Sequence, residues 1–213
     1  MRRAGERGVT ILEMTVATAA FTVVVGGVFS VLATGTQAVQ ATTVSGQLER
    51  KADRIARRIG RTAILAGSAT LLPSPQAPLG SSQVSFRRSQ GWTNGAMVWG
   101  PVISIGMEDD INDPEDGIDN DGDGCVDEAT VVWRRDVGGP NETSEIWVEN
   151  VRRLSDGETR NDQDDNGNGL VDEAGLSFVL QGATLVIRLC LEQRGLDGRV
   201  VTYMAQDAVR LRN

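Results

Sequence analysis

Carboxylates at alternate positions, interleaved with glycine, occur twice in this sequence. Asp116–Glu128 reads DGIDNDGDGCVDE and Asn161–Glu173 reads NDQDDNGNGLVDE. Shifted by 45 residues the two superimpose: Asp119 on Asp164, Asp121 on Asn166, Gly122 on Gly167, Gly124 on Gly169, Val126 on Val171, Asp127 on Asp172 and Glu128 on Glu173. Hard oxygens at this spacing, on a chain that glycine allows to curl, can converge on one cation. Ca²⁺ takes about six to eight such oxygens at roughly 2.3–2.6 Å in flexible geometry, whereas Mg²⁺ seldom uses a cage of many carboxylates. The plainer explanation of a charge run is a solvated acidic insert. The regular glycines, the matched valines and the duplication favour a structural Ca²⁺ in each loop. Without an ion the carboxylates repel and each loop should loosen.

Two ligand registers are open. The second loop matches the EF-hand-type pattern D-x-[DN]-x-[DN]-G-x5-E with Asp162, Asp164, Asn166, Gly167 and Glu173, whereas Gly117 occupies the leading position of the first loop. Starting two residues later gives Asp119, Asp121, Asp123 and Gly124, closed by Asp127 or Glu128, which resembles the shorter D-x-D-x-D-G-x-x-D-E calcium loops of extracellular proteins. The candidate ligands are therefore Asp119, Asp121, Asp123, Asp127 and Glu128 in one loop, and Asp162, Asp164, Asn166, Asp172 and Glu173 in the other. Cys125 lies inside the first loop and Cys190 in an apolar run. They are either bridged or two free buried thiols.

Charge is segregated along the chain. Of 29 acidic residues, 11 lie in Glu108–Glu128 and 5 in Asn161–Glu173, two stretches that hold none of the 21 basic residues. The remainder is basic, yet no aromatic-studded basic face points to nucleic acid. The absence of His excludes imidazole acid–base catalysis and His–metal sites, leaving metal-dependent hydrolysis as the one enzymatic alternative and a non-enzyme as the expectation.

The N-terminal region carries a different oddity. After the basic Met1–Gly8 comes an apolar stretch, uncharged from Met14 to Leu48, with a single carboxylate, Glu13, at its head. About 20 such residues span a bilayer, and a basic leader keeps the N-terminus cytoplasmic. A signal peptide or a simple anchor leaves Glu13 without a role. The stretch Gly8-Val9-Thr10-Ile11-Leu12-Glu13 resembles the processing site of type IV pilins and type II secretion pseudopilins, although Val9 stands where that family usually has Phe. The resemblance implies cleavage by prepilin peptidase between Gly8 and Val9, N-methylation of Val9, and pairing of Glu13 with the N-terminal amine of a neighbouring subunit. It implies a single-pass protein of the bacterial inner membrane with a periplasmic body. Its partners would be other minor pseudopilins or pilins, the peptidase and the inner-membrane assembly platform. An Arg-rich second helical half, Trp133-Arg134 after a strand, and the ending Val209–Asn213 are similar to J-type minor pseudopilins and W-type minor pilins.

The elements that must position these groups follow from periodicity. Leu48, Ala52, Ile55, Ile59, Ala63 and Ala66 share one helical face, with arginines on the remainder. Helix is predicted from Val9 to Ala66, with Gly26-Gly27, Gly35 and Gly46 as places to bend and the Pro-rich 72–78 stretch beyond its end. Eight short β-like runs follow: 83–87, 96–99, 102–105, 130–134, 145–149, 176–180, 184–191 and 200–204. The expectation is an α+β, pilin-like fold, with a long N-terminal helix packed on an antiparallel sheet. A leader would occupy 1–8, a membrane helix 9–35 and an outer domain 36–213 carrying Ca²⁺ loops at 108–128 and 161–173.

Overall fold

The computed structural model describes residues 10–195 and 197–211, with side chains described except at 36–41. The expected cut between Gly8 and Val9 lies outside the described residues. The chain divides into two compact units, Met1–Thr42 and Thr43–Asn213. The architecture is α+β: helix α1 (Ile11–Ala63), a single 3-10 turn at Ser68–Thr70, and strands β1 (Gln83–Thr93), β2 (Ala96–Asp109), β3 (Ala129–Arg135), β4 (Thr143–Val151), β5 (Leu176–Gln181), β6 (Thr184–Arg194) and β7 (Val200–Arg210).

Within the first unit, Ile11–Gly35 forms 25 residues of mean hydropathy 2.2, none buried. At 1.5 Å per residue it extends about 37 Å, enough to cross a hydrocarbon core of about 30 Å. Its large apolar side chains, among them Ile11, Val23 and Phe29, are exposed. This fits a single-pass anchor. The helix runs through Gly26, Gly27 and Gly35 without interruption.

Its N-terminus is a capping box, which the sequence spells as Thr10-x-x-Glu13. The Glu13 amide donates to Thr10 Oγ1 at 3.2 Å, while Glu13 Oε2 accepts from the Thr10 amide at 2.9 Å and from its hydroxyl at 3.1 Å. Glu13 Oε1 has no hydrogen bond among the described residues.

In the second unit, the predicted helical face is the buried one. Leu48, Ala52, Ile55, Ile59, Ala63 and the following Ala66 join Phe86, Ile105, Val131, Phe178, Ile187 and Leu189 in one core. Gly60 permits this approach, since a Cβ there would collide with the Asp207 side chain.

The sheet is antiparallel in the order β1-β2-β3-β4-β6-β5, with β7 on the other edge of β6. Two of the predicted runs, 96–99 and 102–105, are one strand. Gly100-Pro101 marks a register shift against β1, between the pairs Arg87↔Val102 and Ser89↔Trp99. Proline, lacking an N–H, is tolerated at such an irregularity. Asn94 and Gly95, both at positive φ, close the β1–β2 hairpin, and Gly182 does so between β5 and β6.

Candidate metal centres

Both acidic loops are extensions of the sheet, and both have the same frame. Loop 1 runs from Asp110 to Glu128 above the β2–β3 pair Asp109↔Ala129. Loop 2 runs from Ser155 to Glu173 above the bridge Leu154↔Ala174. Each has 19 residues, and the bases correspond under the same 45-residue shift as the tips. Loop 2 thus begins six residues before the predicted Asn161. The backbone bond from Ser155 N to Glu173 O, at 2.9 Å, closes it.

The last Asp of each loop does not point inward. Asp127 Oδ1 accepts from the amides of Asp116 (2.9 Å) and Gly117 (2.8 Å). Asp172 does the same for Asn161 (3.0 Å) and Asp162 (2.9 Å). Gly117 and Asp162 occupy matched positions at φ of +81° and +61°. This position is a turn held by an Asx-type clasp. Asp162 is exposed, and no hydrogen bond of its carboxylate is found among the described residues.

The next acidic residue shapes the curl. Asp119 accepts from the amides of Gly122 (2.7 Å) and Gly124 (3.0 Å), and Asp164 from those of Asn168 (3.0 Å) and Gly169 (2.8 Å). In loop 1 this curl brings carboxylate oxygens of Asp119, Asp121 and Asp123 within 4.8 Å of one another. Asp123, Cys125 and Glu128 form a second group at the same spacing. Loop 2 has carboxamides at two of the matched positions, where Asn166 and Asn168 both turn Nδ2 toward Glu173 Oε1.

Buried acids are the feature that points to a cation. Glu128 and Glu173 are only 3% and 2% exposed. Beside Asp110 at 9%, two further acids absent from the predicted ligand set are enclosed: Asp113 at 1% and Glu158 at 8%. They correspond to each other under the 45-residue shift, which was the available sequence signal. Glu128 Oε1, Glu158 Oε2 and Glu173 Oε2 are buried without a hydrogen-bond partner among the described residues. A buried, unsatisfied carboxylate oxygen costs more than the roughly 1–3 kcal/mol of a neutral group, and a cation is its natural complement.

The electrostatics of loop 1 agree. Asp113 shares a hydrogen bond with Glu128, which with the Asn120 amide holds its carboxyl down at about 2. Burial first, and the shared bond with Asp113 second, push Glu128 up to about 8. A cavity of about 120 Å³ opens on Glu128 and is lined by Asp110, Asn112, Asp121, Glu149 and Asn150. Its size and oxygen-rich wall suit one partly hydrated cation.

Cys125 and Cys190 are free thiols, both buried, so the structure takes the second of the two alternatives for them. They have different surroundings. Asp123 and Glu128 flank Cys125, Arg152 and Asp156 flank Cys190, and Glu192 influences both. Burial raises the Cys190 thiol to about 11 and that of Cys125 further.

These residues could hold a divalent metal in loop 1. In loop 2 Glu158 and Glu173 supply unmatched buried oxygens, but Asp164 is engaged by two amides, Asn168 Oδ1 accepts from the Leu170 amide and from Arg188 at 3.2 Å, and no group of three acids lies within 4.8 Å among the described residues. No family model matches the chain, and neither a curated protein nor a solved structure does so.

Proposed function

We propose that the chain is a minor pilin or minor pseudopilin, a structural subunit rather than an enzyme. It would be anchored by Ile11–Gly35 in the inner membrane, with its α+β body on the periplasmic side and Ca²⁺ as a structural ion in both loops. The observation that carries this reading is Glu13, the sole charge in the apolar stretch. A carboxylate there costs up to about 2.5–3.5 kcal/mol in a bilayer, less toward the helix end. Its Oε2 is engaged by Thr10 and its Oε1 remains available to a cation, such as a neighbour's terminal amine. Calcium is favoured by donor sets rich in carboxylate and carboxamide oxygen with unmatched buried oxygens.

The capping box supports a second reading, a free-standing membrane-anchored calcium-binding or adhesion module, because Thr10 gives Glu13 a purely local role. The two readings separate at one position. Glu13→Gln keeps the box, since Gln serves at its third helical position, and removes the charge. Under the assembly reading, Glu13→Gln and Glu13→Ala both fold, insert and fail to enter the filament. Incorporation of Glu13→Gln at the native level would favour the local role. Mass spectrometry of the membrane-extracted protein should show a methylated Val9 as first residue; a retained Met1 or another start would overturn the pilin assignment.

A further inference from the structure

At one inward position loop 1 has Cys125 where loop 2 has Leu170. Both side chains are buried, at 2% and 1% exposure, and Leu170 packs with Val179 and Val186. The loop architecture therefore accepts an ordinary aliphatic side chain here. The thiol adds a donor that the frame does not require. Cys125 Sγ lies within 4.8 Å of a carboxylate oxygen of both Asp123 and Glu128. Glu128 is 3% exposed, and its Oε1 has no hydrogen-bond partner among the described residues. Cys125 also lines a cavity of about 500 Å³ with Arg152, Glu158, Glu192 and Thr202, which gives an ion a route in.

We propose that loop 1 binds a thiophilic divalent cation of the zinc class through Cys125 Sγ, Asp123 and Glu128, in competition with the oxygen-preferring ion, and that loop 2 does not. Thiolate ligands select Zn²⁺-like ions over Ca²⁺ and Mg²⁺. With metal–sulfur and metal–oxygen bonds of about 2.3 and 2.1 Å, ligand atoms in a tetrahedral site lie roughly 3.4–3.7 Å apart. Contraction from the observed spacing is thus at most about 1.4 Å per pair, which side-chain rotation of the exposed Asp123 can supply. Binding releases the Cys125 thiol proton to solvent as the metal–sulfur bond forms, with water or Glu192 as a fourth ligand. This inference rests on loop 1 being a cation site, but not on that cation being calcium.

The test uses the full chain in detergent, kept reduced, with Cd²⁺ as probe because its thiolate complexes have an ultraviolet charge-transfer band. Wild type and Cys190→Ser should show a saturable band of one Cd²⁺ per chain, and Cys125→Leu, which installs the loop 2 residue, should lack it. Glu128→Gln should weaken Cd²⁺ by about tenfold or more, the loss expected for one charged ligand. Excess Ca²⁺ should suppress the band. If Cys125→Leu unfolds, as read by circular dichroism, Cys125→Ser replaces it. A band lost in Cys190→Ser, or kept in Cys125→Leu, would overturn the proposal. So would a band insensitive to Glu128→Gln, since a thiol alone would then suffice. Absence of the band in wild type that still melts higher with Ca²⁺ would overturn this inference and leave the calcium reading intact. A band without any Ca²⁺ effect on melting would do the reverse.

Discussion

Replacing Glu173 by Gln should change the sign of its effect with calcium. Glu173 is 2% exposed; Oε1 accepts from Asn166 and Asn168, while Oε2 is unpartnered among the described residues. Gln is isosteric and keeps the Oε1 acceptor. In chelator, the substitution removes an uncompensated buried charge and should stabilise the fold by about 1 kcal/mol. With Ca²⁺ at about 100 times its dissociation constant, wild type gains about 2.7 kcal/mol from loop 2, which the variant forfeits. The variant is then weaker by about 1.7 kcal/mol. At roughly 2–4 °C per kcal/mol for a body of this size, Glu173→Gln should melt about 2–4 °C above wild type in chelator and about 3–7 °C below it in Ca²⁺. Loop 1 is common to both proteins and cancels. Paired thermal melts by circular dichroism, with chelator and with saturating Ca²⁺, measure both shifts. A shift of the same sign and size in the two conditions would refute the reasoning, since Glu173 would then matter only through packing and the amide bonds at Oε1.

Other substitutions probe the frame instead of the ion. Asp127→Ala and Asp172→Ala each release two backbone amides and should cost about 1–2 kcal/mol in chemical denaturation, equally with and without Ca²⁺; a loss confined to Ca²⁺ would make these residues ligands. Gly175→Ala should cost about 2–3 kcal/mol, because its Cβ would overlap the Arg152 carbonyl oxygen at the exit of loop 2; a native melting temperature would contradict that packing. For pH, Glu128 in the folded chain binds its proton more tightly than its ordinary value of 4.5 allows, up to about 8. The metal-free protein should therefore lose stability as pH rises from about 4.5 to about 8. Asp113 acts in the other direction, giving stability above its ordinary 3.8 that is lost only as pH falls toward 2, outside that window. Denaturant melts in chelator near pH 5 and pH 8 check the sign, and higher stability near pH 8 would be the failing result.

What the sequence disclosed depended on how sharply each feature was patterned. The helical face from Leu48 to Ala63 was legible because its apolar spacing is regular, and the loops because glycine and acid alternate. Asp113 and Glu158 were not, because they match by chemistry instead of identity and precede the repeated motifs at 116–128 and 161–173. The capping box was in plain sight as Thr10-x-x-Glu13, but an apolar context drew the reading toward an intermolecular partner. β2 was split at Gly100-Pro101, and it is the pairing with β1 on both sides of the register shift, Arg87↔Val102 and Ser89↔Trp99, that carries the strand through it. The outer half of β7 is polar and alternates weakly; its register is supplied by β6, from Thr184↔Arg210 to Arg194↔Val200.

The same repeated loop does unequal work in its two positions. Loop 1 joins β2 and β3, which pair directly, so the ladder holds its ends whether or not the tip is ordered. Loop 2 joins β4 to β5, which lie end to end along the same edge of β6 and meet at the bridge Leu154↔Ala174, closed by the backbone bonds from Ser155 N to Glu173 O and from Gly175 N to Arg153 O. An ion in loop 2 would therefore reinforce a connection that one bridge holds, beside the packing of Leu170 on Val179 and Val186. Loop 1 has more charge to neutralise, since Asp121 and Asp123 stand where loop 2 has Asn166 and Asn168. The loops also touch. Arg153, just before loop 2, donates Nε to the Asp127 carbonyl at 2.6 Å, pairs with Asp109 and lies 3.9 Å from Glu115. Repulsion in an ion-free loop 1 thus bears on the residue that anchors the start of loop 2. The repeat thus has one copy rich in charge and one that bridges two strands along the same edge of β6, with an arginine between them.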